Sequence, residues 1–159
     1  MTSRPVPPSY IPATETPVRT GSRYPSPYDE PCQARVKHIL GDVFGLKQFG
    51  VNLVLLPPGT WSSQRHWHEK EDEFIYIVEG EVTLCDNSGE HLLTAGMCAG
   101  FRAGNPNGHC LKNLSGKPAQ YLEVGTRAKE EVAHYPEIGL KYERNESGSG
   151  YKREDGAPA

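Results

Sequence analysis

No run of apolar residues in this 159-residue chain is long enough to span a bilayer. No basic block and no helix-turn-helix pattern occurs, and 17 Lys and Arg stand against 20 Asp and Glu. The electrostatic footprint of a nucleic-acid binder is therefore missing. Cysteine is scarce: Cys32, Cys85, Cys98 and Cys110 form no Cys-x-x-Cys pair, which leaves a zinc ribbon unsupported. In a reducing compartment these four are expected to be free thiols packed as small hydrophobes. The N-terminus lacks the apolar core of a signal peptide, so a cytoplasmic location is expected. No internal repeat is visible, and the length suits one domain with arms.

Proline is abundant, but unevenly so. Pro5, Pro7, Pro8, Pro12, Pro17, Pro25, Pro27 and Pro31 crowd residues 1–31. They leave little room for helix or inner strand, and the segment reads as an extended arm. Residues 32–127 read as a succession of short strands. Candidates are 33–40, 48–56, 73–78, 81–85, 91–93, 97–101, 109–112 and 120–124, separated by turns such as Pro57-Pro58-Gly59 and Asp86-Asn87-Ser88-Gly89. Many short strands with glycine-rich turns predict an all-β sandwich or barrel. Residues 128–159 turn polar and read as a second arm. Lys129-Glu130-Glu131 suits one helical turn, Tyr135–Tyr142 retains spaced apolar residues, and Ser147-Gly148-Ser149-Gly150 reads as a flexible link.

Within the strand-rich region lies a set of metal-ligand side chains. His66 and His68 are at i and i+2, so on a strand they share a face. Glu73 follows a short polar break and opens an apolar β-branched run, and His109 arrives later. Three imidazoles and one carboxylate suit one divalent transition metal, with coordination positions left open. Zinc, manganese, iron and nickel all accept such donors. Asp72 competes with Glu73. Glu73 is preferred because it shares a face with Ile75 and Ile77.

These residues resemble the two motifs of the cupin superfamily. Glu73 and Gly80 follow His66-Trp67-His68 at the family spacing, while Gly59 stands one residue farther from His66. In the second motif Gly96, Gly104, His109 and Asn113 match. Arg102 replaces a proline there, and the gap from Gly104 to His109 is longer by two. The resemblance covers roughly residues 48 to 126. It implies a double-stranded β-helix, the cupin or jelly-roll barrel, and often a homodimer. One fold hosts many chemistries, so it implies no single reaction.

Several neighbours of the motifs are candidates for other roles. Gln64 and Arg102 are candidate substrate contacts, Gln64 at the mouth and Arg102 through its planar fork. Tyr121 and Glu123 share one face of the last strand. If that face points inward they can serve as acid and base; if Leu122 and Val124 point inward they cannot. Trp67, Phe74 and Tyr76 point away from the ligands, and such a stripe calls for cover by an arm or a second subunit.

Three readings of function follow. Small single-domain cupins similar to this one, with the His-Trp-His, Glu-Asp-Glu-Phe and Tyr-Leu-Glu-Val-Gly phrases, are often labelled sugar phosphate isomerases. That resemblance implies an isomerase or epimerase on a small polar metabolite. Against phosphate, the motifs bring no cluster of Lys and Arg beyond Arg65, Lys70 and Arg102. An iron(II) dioxygenase or metal lyase is the second reading, and a small-molecule-binding module without turnover the third. None involves nucleic acid or a membrane.

Overall fold

Strand alternation sorts this chain into two faces. In β5 (Glu73–Glu79) Ile75 and Ile77 are buried, while Phe74, Tyr76 and Val78 are 40–45 % exposed. Burying the two isoleucines favours folding by roughly 3–6 kcal/mol before conformational entropy is counted. The computed structural model describes residues 9–157. Pro5, Pro7 and Pro8 of the expected arm lie outside them.

The expected all-β architecture is observed. β10 (Ala119–Thr126) runs antiparallel between β5 and β3 (Phe49–Leu56). β3 continues to β2 (Val36–Ile39) and then to β1 (Val18–Thr20) at the edge, while β5 continues to β8 (Cys98–Phe101). A second sheet of β6 (Glu81–Asp86), flanked by β7 (Gly89–Thr94) and β9 (Cys110–Lys112), closes over the first. Val54, Leu56, Ile75, Ile77 and Tyr121 of the six-stranded sheet pack against Val82, Leu84, Leu93 and Leu111 of the other. This is the jelly-roll core, with side chains from both inner faces interdigitated.

Gly80, between β5 and β6, sits at φ +75°, and a Cβ there would stand 2.8 Å from the Pro118 carbonyl oxygen. Only glycine accepts both the left-handed conformation and that close approach.

Both flanking segments are more ordered than their composition suggests. The proline-rich segment contributes β1, which pairs with β2 at the sheet edge, where proline-flanked strands are tolerated. The polar C-terminal stretch forms β11 (Glu131–Tyr135), β12 (Leu140–Asn145) and β13 (Gly148–Arg153), an antiparallel meander. β11 also pairs with β4 (Trp67–His68) through Ala133↔His68 and His134↔Trp67. The expected helical turn at residues 129–131 is absent, because Glu131 opens a strand. The expected flexible link is the hairpin between β12 and β13, with Gly148 at φ +136°.

The polar reading failed because the buried face of this meander is built from tyrosines. Ala133, Tyr135 and Leu140 form its core with Tyr24, Tyr28, Tyr142 and Tyr151 packed around them. Such rings bury area while keeping a polar tip.

Candidate metal centre

His66 and His109 face each other across an isolated antiparallel bridge. Their backbones exchange hydrogen bonds, His66 N–H to the His109 carbonyl at 3.1 Å and His109 N–H to the His66 carbonyl at 2.8 Å. This pairing sets the two rings side by side, with centroids 4.9 Å apart. His68, two residues on, returns to the same face with its ring 4.9 Å from that of His66. Glu73 enters from β5. Its Oε2 lies 2.8 Å from His109 Nε2, 3.5 Å from His68 Nε2 and 3.6 Å from His66 Nε2.

These donors fit a metal ion in spacing, and His66 and Glu73 fit it in protonation as well. Ligand atoms about 2.1 Å from a common centre lie about 3–3.5 Å from one another, close to the separations seen. All three imidazoles point Nε2 inward; the Nδ1 atoms of His66 and His109 meet backbone acceptors, and that of His68 faces a carboxylate beyond hydrogen-bond distance. His66 Nδ1 is 2.9 Å from the Gln64 carbonyl, His109 Nδ1 is 3.3 Å from the Asn107 carbonyl, and His68 Nδ1 is 3.7 Å from Glu131 Oε1. Placing the proton on Nδ1 leaves the Nε2 lone pair for a metal. Burial keeps the His66 pKa below its ordinary value, which favours neutral imidazole. For Glu73 burial pushes the pKa up, but the His109 and His66 hydrogen bonds outweigh it and hold the group well below the usual range, as carboxylate. His66, His68 and Glu73 form a group able to hold a metal ion.

Asp72 stands apart from this set. It is exposed, and its Oδ1 accepts the Ala103 N–H at 2.8 Å. The Phe101 ring lies flat on His109 at 3.5 Å, and Tyr135 stacks on His66 at 5.4 Å. The C-terminal meander thus supplies one wall of the site.

Glu131 is the acid that sequence reasoning missed. It is 2 % exposed, accepts the backbone N–H of Glu69 at 2.9 Å and of Lys70 at 3.0 Å, and faces the outer nitrogen of His68. For His68 burial lowers the pKa, but Glu131, Glu73 and Glu71 together leave it raised. Glu131 lies in Lys129-Glu130-Glu131, which reads as a helical turn in a polar stretch, so no local signal reveals it. Glu71 beside it is engaged with Arg144 and the Ala128 N–H.

The cluster lines a cavity of about 250 Å³. Tyr121 and Glu123 line it too, so the parity left open by the sequence resolves inward for this pair. Tyr121 is 1 % exposed, and burial raises its phenol pKa well above the ordinary value, so it stays protonated. Burial also pushes the Glu123 pKa up, but the Lys37 ammonium outweighs this and leaves it lowered. Lys37 Nζ lies 2.6 and 2.8 Å from the two Glu123 oxygens, and Asn52 Nδ2 donates at 3.0 Å.

The two expected substrate contacts are placed elsewhere. Gln64 is buried beside the cavity wall, where its Nε2 donates to the Tyr28 carbonyl at 2.7 Å, fixing the N-terminal segment. Arg102 is exposed beyond the end of β8 and is not among the cavity-lining residues. Arg65 is held by the Gly108 carbonyl and Glu137, and Lys70 by Glu130. The cavity's basic side chains come instead from outside the motifs: Arg19 and Arg23 from the proline-rich segment, with Arg35 and Lys37 at β2. The i, i+2 spacing of Arg35 and Lys37 was a usable signal for a shared face. Arg19 and Arg23 reach the site only through the fold.

Of the outward aromatics, Trp67 stacks on His134 at 4.3 Å, while Phe74 and Tyr76 stay exposed. The four cysteines are free. Burial pushes Cys32 up to about 11 and Cys110 up to about 12, so neither is a thiolate at neutral pH. No helix among the described residues is long and apolar enough to cross a membrane.

Known proteins share this fold. A model of the cupin domain matches residues 52–125. A crystal structure from Silicibacter pomeroyi, described as a sugar phosphate isomerase from a cupin superfamily, is 42 % identical, with a TM-score of 0.90 over 94 % of this chain and 96 % of that one. A putative sugar phosphate isomerase from Acidithiobacillus ferrooxidans is 26 % identical, with a TM-score of 0.73 over 79 % of this chain and 80 % of the other. A polyketide cyclase from Streptomyces resistomycificus, at 18 % identity and a TM-score of 0.60 over 74 % of this chain and 78 % of its own, shares the fold. No protein in the curated set matches. With both motifs on one barrel and a relative alike over nearly the full length of both chains, this chain belongs to the cupin superfamily.

Proposed function

We propose that this chain is a metal-dependent isomerase or epimerase acting on a sugar or sugar phosphate. His66, His68, Glu73 and His109 hold one divalent transition metal, and Tyr121 and Glu123 serve as acid and base. The observation that carries this reading is that the donor cluster, an ionised carboxylate and a neutral phenol share one small cavity. Likeness to a protein described as a sugar phosphate isomerase supports it.

The metal, when bound, supplies polarisation of a carbonyl oxygen and its neighbouring hydroxyl. Glu123, kept ionised by Lys37, accepts the proton from the carbon beside the carbonyl. Tyr121 donates a hydrogen bond to the oxygen on which charge develops. Return of the proton to the adjacent carbon, with the hydroxyl proton passing to the former carbonyl oxygen, exchanges aldose for ketose with no atom gained or lost. Return to the same carbon from the other side gives epimerisation. The pairing with Lys37 costs Glu123 some basic strength but keeps the whole population ionised at neutral pH. The exposed stripe of Phe74, Tyr76 and Val78 supports a homodimer as the working assembly.

The test is solvent exchange. Metal-loaded protein is incubated in deuterium oxide with a panel of aldose and ketose phosphates and free sugars, and followed by NMR. Deuterium at the carbon beside the carbonyl, together with the isomeric product, is the expected result. Oxygen consumption by the iron(II) form without exchange would move the assignment to a dioxygenase. Tight binding with neither would leave a binding module.

A further inference from the structure

The cavity wall contains donors that the protein itself leaves unanswered. Ser22 Oγ, Arg35 Nε and the Tyr121 hydroxyl are inaccessible and have no hydrogen-bond partner among the described residues, yet all three residues line this cavity. Buried donors are satisfied by a ligand or by water that a ligand displaces. A second hollow adjoins the first and shares Arg19, Arg23, Lys37 and Glu123 with it.

The cations around these two hollows divide into engaged and free. Lys37 is paired with Glu123, Arg127 with Asp42 and Arg144 with Glu71. Arg19, Arg23 and Arg35 have no carboxylate partner among the described residues. Four cationic side chains line the first cavity against the two carboxylates of Glu73 and Glu123, so the wall has an excess of positive charge before any metal is added.

The segment bearing these groups is held in place. Arg35, 8 % exposed, donates through its two terminal nitrogens to the Gly21 and Ser62 carbonyls, and the Gly21 N–H returns to the Arg35 carbonyl at 2.8 Å. On the other side of Arg23, the Tyr24 ring packs against Tyr135 and Tyr151, each at 5.4 Å. Gln64 ties down Tyr28. Ser22 and Arg23 are thus presented by a strap clamped at both ends, which lowers the ordering cost of binding.

We propose that Arg19, Ser22 and Arg23 on this strap, with the free Nε of Arg35, form the receptor for a phosphoryl group of the substrate. The strap takes the phosphate while the reacting carbonyl end lies toward the histidine cluster. Guanidinium forks match phosphate oxygens in pairs, and a phosphate monoester offers three acceptor oxygens and nearly two charges. Two guanidiniums without a carboxylate partner, the Arg35 Nε and a hydroxyl suit that group better than a single carboxylate. The proposal rests on the isomerase reading for what the far end of the substrate does, but not for anion binding itself.

Inorganic phosphate is the probe, titrated calorimetrically into the full chain at fixed ionic strength, both as purified and after chelator treatment. Phosphate is expected to bind in both forms, with acetate at least tenfold weaker. The Arg19→Ala/Arg23→Ala double variant is expected to lose phosphate affinity by about 10- to 100-fold while metal content and melting temperature stay unchanged. Ser22→Ala, which removes one hydroxyl only, should weaken binding in the same direction by less. Phosphate binding that disappears on chelation places the anion on the metal and overturns the proposal. So does undiminished affinity in the double variant, or acetate binding equal to phosphate. If that variant does not fold, the chelation, acetate and Ser22→Ala arms still decide. Absence of deuterium exchange in the isomerase test leaves this titration intact, so the two failures are distinguishable.

Discussion

Replacing Lys37 by methionine removes the ammonium that neutralises Glu123 while keeping most of the apolar stem. The two side chains are 16 % and 22 % exposed, so the pair lies between the surface and buried regimes. Exposed pairs contribute about 0–1 kcal/mol, and breaking a buried one costs about 3–5 kcal/mol. An intermediate cost of about 2 kcal/mol is expected at pH 7. For a chain of this size that lowers the melting temperature by about 4–8 °C.

The sign with pH follows from linkage. Glu123 has a lowered pKa in the folded protein, so its contribution is fully present above the unfolded carboxylate value of about 4.3 and is lost as pH falls through the folded value. In Lys37→Met, burial acts on Glu123 without compensation and the carboxyl takes up a proton more readily. The gap between wild type and variant should therefore be widest near neutrality and close on acidification below about pH 4. Thermal or urea melts at pH 7 and pH 3.5 read this directly. Adding Glu123→Gln to both backgrounds gives a double-mutant cycle, with a coupling of about 1 kcal/mol or more expected. A melting point within about 1 °C of wild type at pH 7, or a gap independent of pH, would refute the inward, ionised placement of Glu123.

Two further outcomes are expected. His66→Ala and His109→Ala should each abolish metal retention, measured by elemental analysis, while the barrel still folds by circular dichroism; full occupancy in both would sink the ligand assignment. Glu131→Gln should lower metal affinity about 10- to 100-fold in a chelator competition, because the charge that faces His68 Nδ1 at 3.7 Å is removed. An unchanged affinity would reduce Glu131 to a backbone anchor for Glu69 and Lys70.

Much of the barrel was legible because its signals are local. β3, β5, β6 and β10 announce themselves by short apolar or alternating runs bounded by glycine, proline or a turn, and the structure moves their ends by a residue or two. The C-terminal meander was not legible, because its buried face is made of Tyr135, Tyr142 and Tyr151 and one acid, Glu131. Nothing in a polar stretch tells a solvated charge from one whose oxygens meet buried backbone N–H groups. Gln64 and Arg102 do not line the histidine cavity for a related reason. Nearness to a motif in sequence does not decide which way a loop side chain turns.

By itself, the sequence determined the candidate donor types and their common face. His66 and His68 at i and i+2, with Glu73 opening an alternating strand, follow from the two-residue period of extended backbone, which holds whatever surrounds it. It also determined that the chain would be β-rich. The tertiary structure decided which face of β10 points inward, since a period of two is blind to parity until the register Tyr121↔Ile77 and Glu123↔Ile75 is set. It decided that Arg19 and Arg23 from a proline-rich segment, and Glu131 and Tyr135 from a polar tail, meet with His68 around the hollow that adjoins the histidine cavity. These groups lie dozens of residues from the histidines, and their neighbourhood is created by strand pairing and burial, not by spacing along the chain.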